Sequence, residues 1–153
     1  MFDEDNLSST KRRALRILGN RNMSASDMER RLLAKGEQPE DVSETIQWLI
    51  EMRAINDTEY AALIVRHYSA KGYGPARVRD ELYKRGIPRD LWDDALVAMD
   101  DEESGDAALE FLKKKLKGSD DKDDIRRATD ALIRRGFGYE DARIAVNRYL
   151  ETL

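Results

Sequence analysis

The chain has 153 residues, 38% of them charged, and its 27 basic and 31 acidic side chains leave a net charge of −4. The absence of cysteine excludes disulfides, thiolate nucleophiles and cysteine-ligated metal centres, and a single histidine, His67, argues against a Ser-His-Asp triad. No apolar run approaches the roughly 20 residues that cross a bilayer, and the first residues are acidic, unlike those of a signal peptide. We therefore expect a soluble, cytoplasmic, partner-binding protein and not an enzyme.

A segment that ends in a basic residue and a glycine recurs three times. The glycines are Gly36, Gly86 and Gly136, which are 50 residues apart each time (86 − 36 and 136 − 86). Four residues before each glycine stands a leucine: Leu32, Leu82 and Leu132. A period of this length indicates tandem structural repeats. One unit of about 50 residues buries little apolar surface alone, so we expect neighbouring repeats to pack in series.

Within each repeat the apolar residues follow helical spacing, as in Ile46, Leu49 and Ile50. In the first repeat this pattern predicts three helices, over Thr10 to Leu18, from a Ser24 cap to Lys35, and from about Pro39 to Arg53. Asp27 follows Ser24 at the spacing of a weak capping box. Gly36 is expected to end the second helix in the left-handed conformation.

The second and third repeats follow the same plan. The predicted helices cover residues 56 to 71, 75 to 86, 89 to 99, 104 to 117, 119 to 135 and 139 to 150. The domain organisation is then a flexible acidic N-terminus over residues 1–8, followed by three-helix repeats over 9–55, 56–103 and 104–153. The predicted fold class is all-α, an elongated and slightly curved array of three tandem three-helix repeats.

Charge is segregated along the chain. Residues 11–35 carry eight basic and two acidic side chains, whereas residues 90–110 carry nine acidic and no basic ones. On the middle helices of repeats two and three, basic residues recur at equivalent positions: Arg77, Lys84 and Arg85, then Arg127, Arg134 and Arg135. These are either solvated faces with intrahelical pairs, such as Glu81 with Arg77 and Arg85, or a contact face for a phosphate backbone or an acidic protein groove.

For most of the other conspicuous residues, the sequence indicates a structural role. Tyr73, in a glycine-flanked turn beside Lys71, either packs on its own repeat or stacks on a base or in a partner's pocket. Trp48 and Trp92 lie within third-helix patterns and are expected in the core, and His67 reads as an ordinary helix residue. The acidic residues 100–103 lack the glycine and spacing of an EF-hand, so we expect a solvated join between repeats. No nucleotide-binding glycine motif or catalytic constellation is present, so no cofactor or metal is expected.

Residues 71–87, with the sequence KGYGPARVRDELYKRGI, resemble the signature segment of the RecX family of regulatory proteins. The segment from Ser24 to Gly36 is similar to that family's first-repeat motif, and Ile55 to Ala61 to its entry into repeat two. The resemblance extends over nearly the whole chain from about Lys11. Two features depart from it: Ala54 stands where the family often has glycine, and the overall charge is more acidic than the family leads us to expect.

The resemblance implies a non-enzymatic negative modulator of the RecA recombinase. Such proteins are three-repeat helical modules thought to lie along the groove of the RecA–single-stranded-DNA filament, where they impede its extension, ATP hydrolysis, strand exchange and the co-protease role in the SOS response. The family offers no catalytic residues to carry over. From the residues themselves we predict a partner-binding face: Lys71, Tyr73, Arg77, Lys84, Arg85, Arg127, Arg134 and Arg135.

Alternative functions remain open at this point. One is a stand-alone module that binds single-stranded nucleic acid, and another is a helical scaffold for an unrelated partner. In every case we expect a monomer that does not associate with membranes.

Overall fold

The structure is a computed structural model that describes residues 7–97, 99 and 101–153, without the side chains of residues 101 and 102. Most of the predicted N-terminal segment 1–8 lies outside these residues. Within them the chain forms nine α-helices and no strand. They are α1 (Ser9–Leu18), α2 (Ala25–Ala34), α3 (Pro39–Glu51), α4 (Asp57–Ala70), α5 (Pro75–Lys84), α6 (Trp92–Leu96), α7 (Asp101–Leu116), α8 (Lys122–Arg134) and α9 (Tyr139–Glu151). The prediction of an all-α chain of three-helix repeats is confirmed.

Each middle helix ends at a glycine in the left-handed conformation, as predicted. The φ angle is 89° at Gly36, 75° at Gly86 and 100° at Gly136. Each glycine amide donates to the carbonyl three residues earlier, and the next amide donates to the repeat's leucine carbonyl, at 3.0 to 3.2 Å. Positive φ is costly for a residue with a Cβ, so the glycines at 50-residue intervals give the three helices the same C-terminal corner.

Side-chain caps start helices α1, α2, α4 and α8, and the cap of α8 corrects a predicted boundary. Ser24 Oγ accepts from the Asp27 amide at 3.1 Å, whereas the Asp27 carboxylate pairs with two arginines of α2 and does not complete a capping box. Helix α8 begins at Lys122 and not at Ser119, because Asp121 Oδ1 accepts from the Asp123 and Asp124 amides at 2.9 and 3.1 Å.

The second and third repeats meet differently from the prediction. Helix α6 ends at Leu96 after a 3₁₀ turn over Arg89–Leu91, short of the predicted Met99. Met99 nevertheless packs against the core of repeat two, which explains its helix-like spacing. Helix α7 begins at Asp101, so the predicted repeat boundary at 103/104 falls inside it. The predicted join at residues 100–103 lies mostly outside the described side chains.

The buried apolar residues form three clusters, one for each set of three helices. The first is built around Met28, Leu32 and Leu49, the second around Val78 and Leu82, and the third around Leu112, Leu132 and Tyr149. Trp92 is buried and donates from Nε1 to the Ile87 carbonyl at 2.9 Å, and Trp48 packs against the first cluster, so both tryptophan predictions are confirmed. The accessible surface is 9968 Å², about a quarter more than the roughly 7,900 Å² of a compact monomer of this mass.

The repeats contact one another through the ends of their middle helices. Ser26 Oγ, in the first turn of α2, donates to the Gly86 carbonyl at 2.7 Å. The amides of Gly74 and Ala76, at the start of α5, donate to the carbonyls of Arg135 and Gly136 at 2.9 and 3.0 Å. The N-terminus of α2 therefore contacts the C-terminus of α5. In the same way, the N-terminus of α5 contacts the C-terminus of α8. The three middle helices lie end to end, in the order α8, α5, α2.

Candidate partner-binding surface

Tyr73 lies at the junction of repeats two and three, between two arginines. The turn that carries it has Gly72 at a φ of 85°, and the Tyr73 amide donates to the Tyr68 carbonyl at 3.1 Å. The guanidinium carbons of Arg77 and Arg135 lie 4.8 and 4.6 Å from the Tyr73 ring centroid. The Tyr73 ring therefore packs on its own repeat, and Arg135 extends this packing to the next repeat. A contact of Tyr73 with a base or a partner's pocket stays a prediction.

The backbones of repeats two and three also approach closely at this junction. A Cβ on Gly136 would lie 2.4 Å from the Arg77 nitrogen, and one on Gly74 would lie 2.5 Å from the Gly136 carbonyl. Arg135 Nη2 also donates to the Lys71 carbonyl at 2.9 Å. Sequence reasoning treated Gly136 only as a helix end and missed its contact with Gly74. The one signal for that contact was the glycine directly before Pro75.

The Glu81 carboxylate forms ion pairs with three basic side chains of α5 and its C-terminal cap. Its side chain is buried, and its carboxylate lies 3.3 Å from Arg77 Nη2, 3.7 Å from Lys84 Nζ and 3.7 Å from Arg85 Nε. The predicted pairs of Glu81 with Arg77 and Arg85 are thus present. A carboxylate with three cations leaves a local excess of positive charge, and Lys84, with 63% of its side chain exposed, is the most accessible of the three.

Arg85 connects this ion-pair group to two tyrosines. Its Nη1 and Nη2 donate to the hydroxyls of Tyr60 and Tyr68 at 3.1 and 3.0 Å. These hydrogen bonds raise the pKa of the Arg85 guanidinium above its ordinary value. The Tyr68 ring in turn lies 6.0 Å from that of Tyr73, which links Arg85 to the repeat junction.

Repeat three presents a second, separate group. Arg127, with 67% of its side chain exposed, pairs with Asp124 at 2.7 Å. The Ser119 hydroxyl and Arg127 together lower the pKa of Asp124. Arg127 and Arg134 line an open depression of about 570 Å³ with Lys115, Leu116, Asp124 and Asp130. The depression lies along α7 and α8 and does not include the Tyr73 junction.

The structure therefore divides the eight predicted residues. It brings Lys71, Tyr73, Arg77 and Arg135 together at the junction through ring and carbonyl contacts. The Glu81 carboxylate joins Arg85 to Arg77 within repeat two. The structure places Arg127 and Arg134 on the depression of repeat three, and Lys84 on the exposed side of α5. Among the residues at the junction, Arg135 is the residue whose side chain reaches the other repeat, at Lys71 and Tyr73. Arg85 makes its contacts within repeat two and is exposed. The role of all eight residues in binding stays a prediction.

Two further observations concern the described part of the chain. None of its helices combines the length and the apolar character that a bilayer span requires. Nor do its side chains place three or more histidine or carboxylate groups where they could share a metal ion. His67 is exposed, and its ring stands edge-on to that of Tyr68 at 5.0 Å.

The chain is similar to proteins of one family. The family model described as the second three-helix domain of RecX matches residues 56–96. Regulatory protein RecX of Xanthomonas axonopodis pv. citri is 32% identical over 141 residues, covering 91% of this chain and 86% of the relative. Regulatory protein RecX of Deinococcus radiodurans is 35% identical over 126 residues, covering 82% of this chain and 60% of that protein.

The fold is also found in a solved structure. The crystal structure of RecX from Lactobacillus salivarius superposes with a TM-score of 0.83, at 23% identity, over 95% of this chain and 97% of that one. At an identity this low, the superposition shows that the two proteins share a fold and nothing beyond it. The coverage and identity of the Xanthomonas relative, together with the matched second domain, show the family: the chain belongs to the RecX family of regulatory proteins.

Proposed function

We propose that this chain is a non-enzymatic modulator of RecA. In this proposal it binds along the groove of the RecA–single-stranded-DNA filament and impedes filament extension, ATP hydrolysis, strand exchange and co-protease activity. The observation that carries the proposal is membership of a family whose relatives are named regulatory proteins. The action is a matter of binding, and it needs neither a cofactor nor a catalytic group.

The arrangement of the repeats supports a partner that is itself extended. The middle helices lie end to end, and α5 and α8 present Lys84, Arg127 and Arg134 to solvent. Exposed cations of this kind accelerate association with an acidic surface and set its orientation. Their local excess persists although the chain as a whole has a net charge of −4.

ATP hydrolysis by RecA on single-stranded DNA tests both the activity and the surface. Wild-type protein should slow hydrolysis. The variant Lys84→Glu/Arg127→Glu/Arg134→Glu should inhibit at least about tenfold more weakly, because three favourable contacts become repulsive. Arg77 and Arg135 are left intact because both pack against Tyr73 at the repeat junction. Unchanged inhibition by this variant, with its fold retained, would show that the surface is wrongly assigned.

A matched control separates local contacts from net charge. The variant Arg12→Glu/Arg16→Glu/Lys114→Glu changes the net charge by the same amount at exposed positions of first helices α1 and α7. It should inhibit nearly as well as the wild type. If both variants lose inhibition equally, long-range electrostatics and not the middle-helix surface governs binding.

The stand-alone nucleic-acid module is distinguished by binding in the absence of RecA. A protein that neutralises phosphates on single strands loses affinity with a log–log salt slope of about 0.7 per phosphate. We expect weaker binding to bare single-stranded DNA than to the RecA filament. Tight, steeply salt-dependent binding to bare strands, without a preference for the filament, would favour the alternative.

A further inference from the structure

Three exposed apolar side chains occupy the same position in the three repeats. Leu33, Tyr83 and Ile133 are 41%, 75% and 42% exposed. Large apolar side chains are exposed at other positions of the described chain, but no other position of the 50-residue period repeats this in all three units. Single exposed apolar residues are ordinary in soluble proteins, whereas recurrence at one position requires an explanation.

The three side chains leave their helices with the same local geometry. The amides of Gly36, Gly86 and Gly136 donate to the carbonyls of Leu33, Tyr83 and Ile133, each at 3.0 Å. Each side chain therefore stands one turn before an equivalent glycine corner. The preceding leucine of each repeat is fully buried. The core of each repeat is therefore packed by a different face of the helix from the one that carries the exposed side chain.

The end-to-end contacts of the middle helices place these three positions at successive points along the array. Helix α5 has ten residues and is about 15 Å long, so successive positions lie roughly 15–20 Å apart along the array. A basic residue follows each of them within two positions: Lys35 in repeat one, Lys84 and Arg85 in repeat two, Arg134 and Arg135 in repeat three. Every unit thus carries a basic residue within two positions of an exposed apolar side chain.

We propose that Leu33, Tyr83 and Ile133, here called the apolar row, dock into apolar pockets with acidic rims on successive RecA subunits of the filament. Equivalent contact points, one in each repeat, match identical pockets on identical subunits, which a single globular partner does not offer. Bases are not the target, because stacking on single strands uses aromatic rings and two members of the row are aliphatic. This inference rests on the proposed function, since it names the contacts by which the chain recognises the filament.

Substitution of the row tests the inference by co-sedimentation with RecA filaments assembled on single-stranded DNA. Leu33→Ser, Tyr83→Ser and Ile133→Ser should each weaken binding by about tenfold, as expected for apolar anchors at an interface. The triple variant should weaken it by at least about a hundredfold. Thermal unfolding close to that of the wild type would confirm that these exposed positions leave the fold intact.

The control variant is Ile50→Ser/Leu63→Ser/Leu150→Ser, whose three side chains are 43%, 40% and 39% exposed at positions that do not recur in every repeat. It should bind nearly as well as the wild type. Wild-type binding by the row variant, or an equal loss in the control, overturns the inference and leaves the proposed function standing. Failure of the wild type itself to bind the filament overturns both.

Discussion

At the scale of single residues, three glycines with the same backbone conformation have different surroundings. Gly36 has open space where a Cβ would stand, Gly86 faces the hydroxyls of Ser26 and Ser24, and Gly136 faces the backbone of Arg77. The two hydroxyls can move away from a methyl group at the cost of the hydrogen bonds they make with the Gly86 carbonyl and the Asp27 amide. The backbone at Gly136 has no such freedom, because it is held by the hydrogen bonds of the junction. The cost of a side chain should therefore rise along this series, although the sequence period makes the three positions look alike.

Alanine substitution at each glycine measures this gradient. Gly36→Ala should lower the free energy of unfolding by about 1–2 kcal/mol, the cost of the left-handed conformation. Gly136→Ala should lose roughly 1–3 kcal/mol more, because the new methyl group displaces the junction backbone, and Gly86→Ala should fall between them. Urea denaturation monitored by circular dichroism gives the three values. Equal losses would show that the junction yields to a methyl group without cost.

At the scale of elements, the sequence predicted a helix end correctly where a single capping residue or glycine determines it. The glycine corners and the Ser24 cap lie where they were expected, because left-handed φ and side-chain capping are local properties. The start of α8 was misplaced because Ser119 and Asp121 are both good cap residues. The choice depends on Ser119 donating instead to Asp124, at 2.7 Å, a contact that only the folded turn forms.

The α8 cap makes a direct prediction. Asp121→Ala removes the acceptor for two amides and should lower the free energy of unfolding by about 1 kcal/mol. The matched control is Asp120→Ala, which removes the same charge from an exposed residue just outside the cap. Urea denaturation of both variants decides the matter, and equal stability would place the start of the helix elsewhere.

Asp57, at the start of α4, makes the stability of the protein depend on pH. It accepts from the Ala25 amide at 3.0 Å, and burial raises its pKa above the ordinary value. The folded protein therefore binds this proton more tightly than the unfolded chain, so the contribution of Asp57 to stability falls as pH rises through the carboxyl range.

Asp57→Asn keeps an acceptor for Ala25 and cannot titrate. Its stability relative to the wild type should increase between about pH 3 and pH 6, the range in which carboxyls ionise. Urea unfolding across this range gives the difference. A stability difference that is flat or decreases with pH would contradict the raised pKa.

At the scale of the whole molecule, the two junctions between repeats differ in kind. Repeats two and three share backbone hydrogen bonds, the closely approaching Gly74 and Gly136, and the ring contact of Arg135 with Tyr73. Repeats one and two are joined by side chains, through Ser26 to the Gly86 carbonyl and Asp57 to the Ala25 amide. We expect repeat one to open more readily than the other two separate.

Native-state hydrogen exchange measures this asymmetry. The amides of Gly74 and Ala76, which cross the second junction, should be protected at least about tenfold more than the amide of Ala25, which crosses the first. Arg135→Ala should lower protection at Gly74 and Ala76 and leave Ala25 unchanged. Equal protection at both junctions, in the wild type, would mean that the array opens as one unit.

The sequence predicted the array itself but only part of its surface. A 50-residue period carries the repeat architecture because each unit follows the same local rules. It could not separate Arg135, which crosses to Lys71 and Tyr73, from the neighbouring Arg134, which faces the depression. That distinction depends on how the repeats meet. The end-to-end order of the middle helices, along which the apolar row is distributed, depends on the same contacts.

The central claim is that this chain restrains RecA on single-stranded DNA. The most direct measurement is the rate of ATP hydrolysis by RecA filaments as the protein is added up to equimolar amounts with RecA. The account predicts a progressive fall in the rate, which is markedly weaker for Lys84→Glu/Arg127→Glu/Arg134→Glu. A rate that stays unchanged up to equimolar wild-type protein would contradict it.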